Sequence, residues 1–484
     1  MKRAGLRLHT RSHTASASTI LLVLVACLVA AGAAAWPGVA SARTVARGLA
    51  DPYIISMSVG DQTNVLHEIR SELGATYVRF NVCWALAEPH DPAITPYDPT
   101  SKYMTGVASA VSQAHLDGLK VMITFYGVPK WASAQRFWQQ TGGYQPKDAM
   151  SIWSLDAFQA FCRDVAVQLS GQVYAYECWN EPNLALFLFP QTTAQSKNFA
   201  ADLYVKMLRH FSAGIRSGDA GALRVAGATA PHGYNTIAST SPQRFAARIK
   251  ATAGAALLFD AYSHHPYMPG ASPRLWPEAA PGSPNTTVTL QNLGTLLKLF
   301  PNKPFFLTEY GVQTAPCFWF SGQYVNQITQ ANYLRRAYAF VARYPQVKLL
   351  MWYLLKDQSP MASPNRGFYT GLRTADGAAK RAWYVFARGN RLTLIAPASI
   401  KRGSVLTLTG QLSCLSVGGL TGKQLVVQRH LPGHAWSTVT TVYTRTVNTV
   451  AGSYTVRLSS RPASYYRVTW RGVVTSRTRY VAVN

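Results

Sequence analysis

The sequence has few acidic residues. It contains 20 Asp plus Glu against 47 Lys plus Arg in 484 residues, which gives a formal net charge of +27 at pH 7. From residue 391 to the end there is no Asp or Glu, beside 12 Lys plus Arg. Such a surface favours anionic partners such as cell-wall polymers, acidic polysaccharide or lipid headgroups. Because the chain has no basic helix and no recognised nucleic-acid motif, we predict no nucleic-acid partner.

Cysteine is also scarce, with six residues in the whole chain. There is no CxxC pair and no Cys/His spacing of the kind that binds zinc, so the sequence predicts neither a metal site nor a disulfide-built scaffold. Cys83 and Cys178 lie within apolar runs, where a thiol behaves as a small core residue.

Long apolar runs are absent after the N-terminal segment. Residues 1–42 begin with basic residues and continue through the uncharged run Ile20–Trp36. Ala40-Ser41-Ala42 then matches the small-residue pattern that precedes signal-peptide cleavage. We therefore predict a signal peptide over residues 1–42 and a secreted, extracellular protein. An uncleaved membrane anchor and lipidation at Cys27 are the alternatives.

From about residue 51 to residue 390, short apolar runs alternate with segments of helical periodicity. The candidate strands are Ile54–Val59, Tyr77–Trp84, Val121–Tyr126, Val173–Trp179, Arg224–Ala228, Phe259–Ser263, Phe305–Thr308 and Lys348–Trp352. Eight such units predict a closed (β/α)8 TIM barrel, and we assign residues 43–390 to it. An open doubly wound α/β sheet is the alternative, but no GxGxxG follows the first candidate strand.

Residues 391–484 have a different pattern. Strand-type alternation with Gly and Pro between the runs predicts a small all-β sandwich of immunoglobulin-like type. Two roles are open for this basic domain. It is either a packing or spacer module, or it attaches the protein to an anionic cell-wall polymer.

Two glutamates end candidate strands. The segment Tyr176–Asn183 reads YECWNEPN, and Glu181 follows the fourth strand, where Pro182 favours an extended turn out of the sheet. Glu309 ends the near-continuous apolar run that forms the seventh strand. Active sites of barrels lie at these carboxyl ends, so the two carboxylates are predicted to face each other across the barrel mouth. A solvated glutamate in an ordinary loop is the alternative for Glu181.

Paired carboxylates of this kind suit retaining glycoside hydrolysis. One carboxylic acid protonates the leaving oxygen, and one carboxylate attacks the anomeric carbon, at a separation of about 5–5.5 Å. An inverting site separates its carboxyl groups by roughly 6.5–9.5 Å.

The ordered motifs over residues 51–390 resemble clan A of the glycoside hydrolases, and locally families 39 and 5. The resemblance implies Glu181 as general acid/base, Glu309 as nucleophile, net retention and no cofactor. It also implies roles for five further residues: Arg79 pairs with the nucleophile, Asn180 binds the sugar 2-hydroxyl, His265 and Tyr267 form a His-x-Tyr pair whose phenol orients the nucleophile, and Trp352 stacks on the sugar. For Arg79, a buried structural pair with Glu177 is the other role, and the two roles are compatible. For Trp352, core packing is the alternative.

The sequence thus predicts a secreted retaining hydrolase whose substrate is a β-linked polysaccharide or oligosaccharide. A catalytically silent carbohydrate-binding barrel and a transglycosylase with the same site are the alternatives. The resemblance names neither the sugar nor the linkage.

Overall fold

The computed structural model describes residues 45–133, 154–268, 276–317, 323–359, 367–387, 390–414, 418–459, 462–470 and 474–484. The predicted signal peptide over residues 1–42 lies outside them. Among the described residues, no helix combines the length and the apolar character that a membrane span requires.

Eight parallel strands close a barrel in the order of the chain, as the sequence predicts. They are β1 (Ala46–Ala50), β2 (Tyr77–Cys83), β3 (Lys120–Tyr126), β4 (Val173–Glu177), β5 (Leu223–Thr229), β6 (Ala261–His264), β7 (Phe305–Tyr310) and β8 (Val347–Tyr353). β1 pairs with both β2 and β8, which closes the barrel.

The helices of the described residues lie between these strands or follow the last of them. They are α1 (Val59–Ser71), α2 (Trp84–Ala87), α3 (Lys102–Leu116), α4 (Leu155–Gln168), α5 (Phe199–Gly218), α6 (Pro242–Ala251), α7 (Gly294–Leu297), α8 (Gln327–Val341) and α9 (Arg381–Phe386). Short 3-10 turns occupy Ile54–Ser56, Lys130–Ala132 and Ala255–Leu257.

The position predicted for the first strand is wrong. Ile54–Ser56 forms a 3-10 turn, and Val59 begins α1, because the Ser58 hydroxyl accepts the backbone N–H of Asp61 and caps the helix. The true β1 contains Gly48, where a Cβ atom would stand 2.7 Å from Cγ of Met351. With Arg47 and Gly48 inside its five residues, β1 lacks the continuous apolar run by which the other seven strands are found.

The barrel has two apolar layers because side chains alternate along each strand. One layer fills the barrel and includes Met122, Val225, Leu349 and Met351. The other lies between the strands and the surrounding helices. A side chain near a strand end therefore points into the barrel mouth or under the helices, according to its parity.

The C-terminal part is all-β, with two sheets around one core, as the sequence predicts. Its strands are β9 (Asn390–Leu392), β10 (Ser399–Ile400), β11 (Leu406–Cys414), β12 (Gly418–Gly419), β13 (Gln424–His430), β14 (Ser437–Tyr443), β15 (Arg445–Val447), β16 (Val450–Leu458), β17 (Ser464–Trp470), β18 (Val474–Thr475) and β19 (Arg479–Val483). One sheet has the order β10-β19-β17-β13-β14, with β18 beside β17. The other has the order β12-β11-β16-β15, with β9 beside β11. The immunoglobulin-like description of this sandwich stays a prediction.

Candidate active site

Arg79 is the centre of a buried polar network at the carboxyl end of the barrel. Its side chain points inward from β2 and is 1% exposed. Nη1 donates to Oε1 of Glu309 at 2.6 Å, Nε lies 2.8 Å from Oε2 of Glu177, and Nη2 donates to Oδ1 of Asn180 at 2.8 Å. The sequence allows Arg79 to pair with Glu309, with Glu177 or with both, and the structure has both pairs.

Glu177 is the fully buried partner of this arginine. The hydroxyls of Thr124 and Thr308 donate to its two oxygens at 2.6 and 2.9 Å. Burial opposes ionisation of Glu177, but the charges of Arg79 and His265 and the hydrogen bond from Thr124 outweigh it and hold the pKa of Glu177 below its usual value. With both oxygens occupied and no exposed surface, Glu177 holds Arg79 in place and is not accessible to a substrate.

Glu181 lies on the turn that follows β4. Its backbone N–H donates to the carbonyl of Ala228 at 2.9 Å, and its φ of 41° is in the left-handed region. Trp179, two residues earlier, has a φ of 71°. Positive φ costs a non-glycine residue free energy, and packing must maintain it. Asn183 supplies part of that packing, because its side chain accepts from Ala230 N–H and donates to the carbonyl of Thr240.

His265 links the two predicted catalytic carboxylates. Its Nδ1 lies 3.0 Å from Oε1 of Glu181 and 3.8 Å from Oε2 of Glu309, and its Nε2 lies 3.2 Å from the hydroxyl of Thr308. Burial lowers the pKa of His265, but the negative charges of Glu309 and Glu181 outweigh this, so the net pKa is raised. The charged imidazolium donates at both nitrogens and suits this position.

Glu309 is held on both of its oxygens. Arg79 binds Oε1, and the Tyr267 hydroxyl donates to Oε2 at 3.1 Å. An oxygen of Glu309 and an oxygen of Glu181 lie within 4.8 Å of each other. Both side chains remain partly open, at 10% and 16% exposure. The arrangement therefore presents two carboxylates at the surface of an otherwise buried network.

Asn180 lies beside them with its amide oriented by Arg79. Since Oδ1 accepts from that guanidinium, the amide nitrogen is the end that Asn180 can offer to a ligand hydroxyl. Six predicted site residues thus meet at one end of the barrel, namely Arg79, Asn180, Glu181, His265, Tyr267 and Glu309.

The predicted role of Trp352 requires correction. Its indole is fully buried under the helices, donates to the carbonyl of Thr370 at 2.8 Å and packs against Tyr310. No face of the ring is available to a sugar. Tyr353, the next residue along β8, belongs to the interior layer and retains 8% exposure. Burial and the negative charge of Glu309 raise the pKa of Tyr353. Of these two aromatic residues of β8, Tyr353 is therefore the one on the interior side of the barrel.

Two further residues near the site were missed in the sequence. Asp51, directly after β1, is buried, accepts the N–H groups of Tyr53 and Leu355, and has a pKa raised to about 6 by burial. His232, after β5, has a pKa lowered by burial, against the opposing charge of Glu181. Neither lies in a recognisable motif, because Asp51 meets Leu355, just after β8, and His232 meets the charge of Glu181 only in the folded barrel.

Glu181, His265 and Glu309 each present one potential metal-ligand atom, and these three atoms lie within 4.8 Å of one another. The guanidinium of Arg79, at 2.6 Å from Glu309, already neutralises that carboxylate. A divalent cation beside it would meet strong charge repulsion. These three residues therefore suit a site in which an arginine binds one of the carboxylates better than they suit a metal centre.

No protein-family model matches the chain, and no curated protein matches it. Solved structures do match, among them the GH5_18 glycoside hydrolase from Streptomyces cattleya in complex with GlcNAc. That match has a TM-score of 0.51 and 16% sequence identity, and it covers 72% of this chain and 80% of the other. A variant of the same protein, in complex with Manβ1-4GlcNAc, matches with a TM-score of 0.52 and 15% identity over 71% of this chain and 80% of that one. Because the sequence identities are this low, the similarity establishes only the shared fold. That fold is the one that the resemblance to clan A implies.

Proposed function

We propose that this protein is a retaining glycoside hydrolase that acts on a β-linked saccharide, with Glu309 as nucleophile and Glu181 as general acid/base. The observation that carries the proposal is the pair of carboxylates with oxygens within 4.8 Å of each other at the carboxyl end of the barrel. That spacing suits direct attack by a carboxylate, whereas an inverting mechanism needs room for a water molecule.

In the first step, an oxygen of Glu309 attacks the anomeric carbon, and the bond to the leaving oxygen breaks. Glu181 gives its proton to that oxygen. The hydrogen bonds from Arg79 and Tyr267 orient the Glu309 carboxylate before attack.

In the second step, Glu181 takes a proton from water as the water oxygen attacks the anomeric carbon, and the ester bond to Glu309 breaks. His265, hydrogen-bonded to Glu181 through Nδ1, holds this carboxyl group in one place through both steps. The amide nitrogen of Asn180 is placed to donate to a sugar hydroxyl, and the 2-hydroxyl is the position where such contacts strengthen in the transition state.

The proposal extends to location and attachment. The predicted signal peptide supports a secreted protein, and the basic sandwich supports attachment to an anionic cell-wall polymer. The fold neighbour bound to Manβ1-4GlcNAc supports a carbohydrate substrate without naming the sugar.

A hydrolysis screen tests the proposal. The protein is incubated with β-linked polysaccharides, aryl β-glycosides and Manβ1-4GlcNAc, beside the variants Glu181→Gln and Glu309→Gln. Asp202→Asn is the matched control, since Asp202 forms an exposed ion pair with Arg248 on the outer helices. We expect the wild type and the control to release sugar, Glu309→Gln to lose nearly all activity on every substrate, and Glu181→Gln to lose most activity on the polysaccharides and less on aryl glycosides with good leaving groups. A wild type that binds a saccharide without cleaving any member of the panel would favour the silent binding protein instead.

A further inference from the structure

The outer face of one sandwich sheet carries a row of aromatic side chains across three neighbouring strands. His430 on β13 pairs with Tyr465 on β17, and Tyr465 pairs with Tyr480 on β19. Their ring centroids are 5.8 and 4.9 Å apart. Residues that face each other in adjacent strands share one side of the sheet, so these three rings form a continuous row.

This aromatic row lies on the solvent side. Tyr465 is 37% exposed and Tyr480 is 50% exposed. The neighbouring residues Tyr466, Val468 and Val481 alternate with them and are buried in the core of the sandwich. The core therefore does not require the row for its packing, and large exposed aromatic side chains on one face commonly mark a binding surface.

A cation and a further ring extend the row. The Trp436 ring lies 5.3 Å from His430, and the guanidinium carbon of Arg467 lies 4.1 Å above the Trp436 ring. Nε of Arg467 donates to Oε1 of Gln428 at 2.8 Å, which fixes the guanidinium beside the aromatic row. The surface thus joins flat apolar rings to a positioned positive charge.

The composition of the domain indicates the charge of its partner. Residues 391–484 contain no carboxylate side chain that could neutralise their Lys and Arg. A neutral ligand would gain nothing from this imbalance, whereas an anionic polymer would be attracted along its length. Flat rings favour a partner with flat, apolar C–H faces, which a chain of pyranose rings has and a flexible polyacid lacks.

We propose that His430, Tyr465, Tyr480, Trp436 and Arg467 form a binding site for an acidic polysaccharide, a chain of pyranose rings that bear carboxylates. The tyrosine rings stack on sugar faces, and Arg467 pairs with a carboxylate of the polymer. This site assigns residues to the polymer attachment proposed above, and it does not depend on catalysis by the barrel.

Binding of the whole protein to three soluble polymers tests the proposal. Polygalacturonate has pyranose rings and charge, the α-linked neutral polymer dextran has rings without charge, and poly-L-glutamate has charge without rings. The variants are Tyr465→Ala, Tyr480→Ala and Arg467→Gln. Tyr443→Ala is the matched control, because Tyr443 is 55% exposed and pairs with Gln424, at the opposite end of β13 from His430.

We expect the wild type to bind polygalacturonate more tightly than either other polymer, with an affinity that falls as salt rises. Each tyrosine variant should weaken this binding about tenfold, since stacked aromatic side chains dominate such contacts. Arg467→Gln should weaken it and reduce its salt dependence, and Tyr443→Ala should leave it unchanged.

Two results would overturn the proposal. Equal binding of poly-L-glutamate and polygalacturonate would mean that net charge alone attracts the polymer. Wild-type affinity in both Tyr465→Ala and Tyr480→Ala would mean that the aromatic row is not the site. Since the readout is binding, neither result depends on whether the protein hydrolyses a sugar.

Discussion

Arg79 donates to Glu309 at 2.6 Å from a side chain that is itself almost completely buried. The same guanidinium binds Glu177, so one cation holds two carboxylates, of which only Glu309 reaches the surface of the site. Arg79 thus forms a structural ion pair with Glu177 and also orients Glu309, the proposed nucleophile.

Replacement of Arg79 should therefore damage both folding and activity. Arg79→Lys cannot reproduce the forked geometry and leaves a buried carboxylate poorly compensated. We expect a loss of about 3–5 kcal/mol in the free energy of unfolding, measured by denaturant titration. Arg248→Gln is the control, because its ion pair with Asp202 is exposed and should contribute at most about 1 kcal/mol. A stable, fully active Arg79→Lys variant would contradict the account.

Glu177 and Glu181 belong to the same short segment but should respond differently to substitution. Glu177→Gln removes a buried partner of Arg79 and should lower the free energy of unfolding by roughly 2–4 kcal/mol. Glu181→Gln changes a partly exposed group and should leave stability close to that of the wild type. Its activity should fall by about 10²–10⁴-fold, and least for aryl glycosides whose leaving group needs no protonation. Thermal unfolding and rates on two aryl glycosides of different leaving-group acidity separate the two effects.

His265 gives the site a pH dependence of stability. Its pKa is raised in the folded protein, so its stabilising contribution is complete below the unfolded value of about 6.5 and is lost as pH rises through the higher folded value. We expect the difference in Tm between wild type and His265→Asn to be largest near pH 6 and to shrink as the pH is raised towards 9. A difference that grows with pH would show that the neutral imidazole is the preferred form.

Trp352 and Tyr353 provide a test of which β8 residue faces the substrate. Tyr353→Ala should raise KM, because Tyr353 lies in the interior layer of the barrel, and it should also lower the free energy of unfolding, because this side chain is only 8% exposed. Trp352→Phe should leave KM unchanged and lower the free energy of unfolding by about 1–3 kcal/mol, since it leaves the Thr370 carbonyl without its donor. Steady-state kinetics and denaturant unfolding of the two variants test which residue faces the substrate. A raised KM for Trp352→Phe with an unchanged KM for Tyr353→Ala would restore Trp352 as the sugar-facing residue.

The same pair shows what the sequence could and could not predict. The strand itself was found from its apolar run, but both parities of that run are buried, so the pattern does not tell which side faces the barrel. Glu181 and Glu309 could still be assigned to the site, because their motifs resemble those of known enzymes and the assignment did not depend on strand parity. β1 was missed for a different reason, since Arg47 and Gly48 interrupt its apolar pattern. Asp51 and His232 come from loops whose proximity to the site depends on closure of the whole barrel.

The most direct test of the central claim is the mass of the protein after reaction with an activated 2-deoxy-2-fluoro β-glycoside of the sugar that the screen identifies. The fluorine slows hydrolysis of a glycosyl-enzyme, so a nucleophilic carboxylate becomes labelled. We predict a mass increase of one glycosyl group, located by peptide mapping on Glu309 and absent in Glu309→Gln. A label on another residue, or turnover of β-glycosides with inversion and without any label, would contradict the assignment of Glu309 as nucleophile.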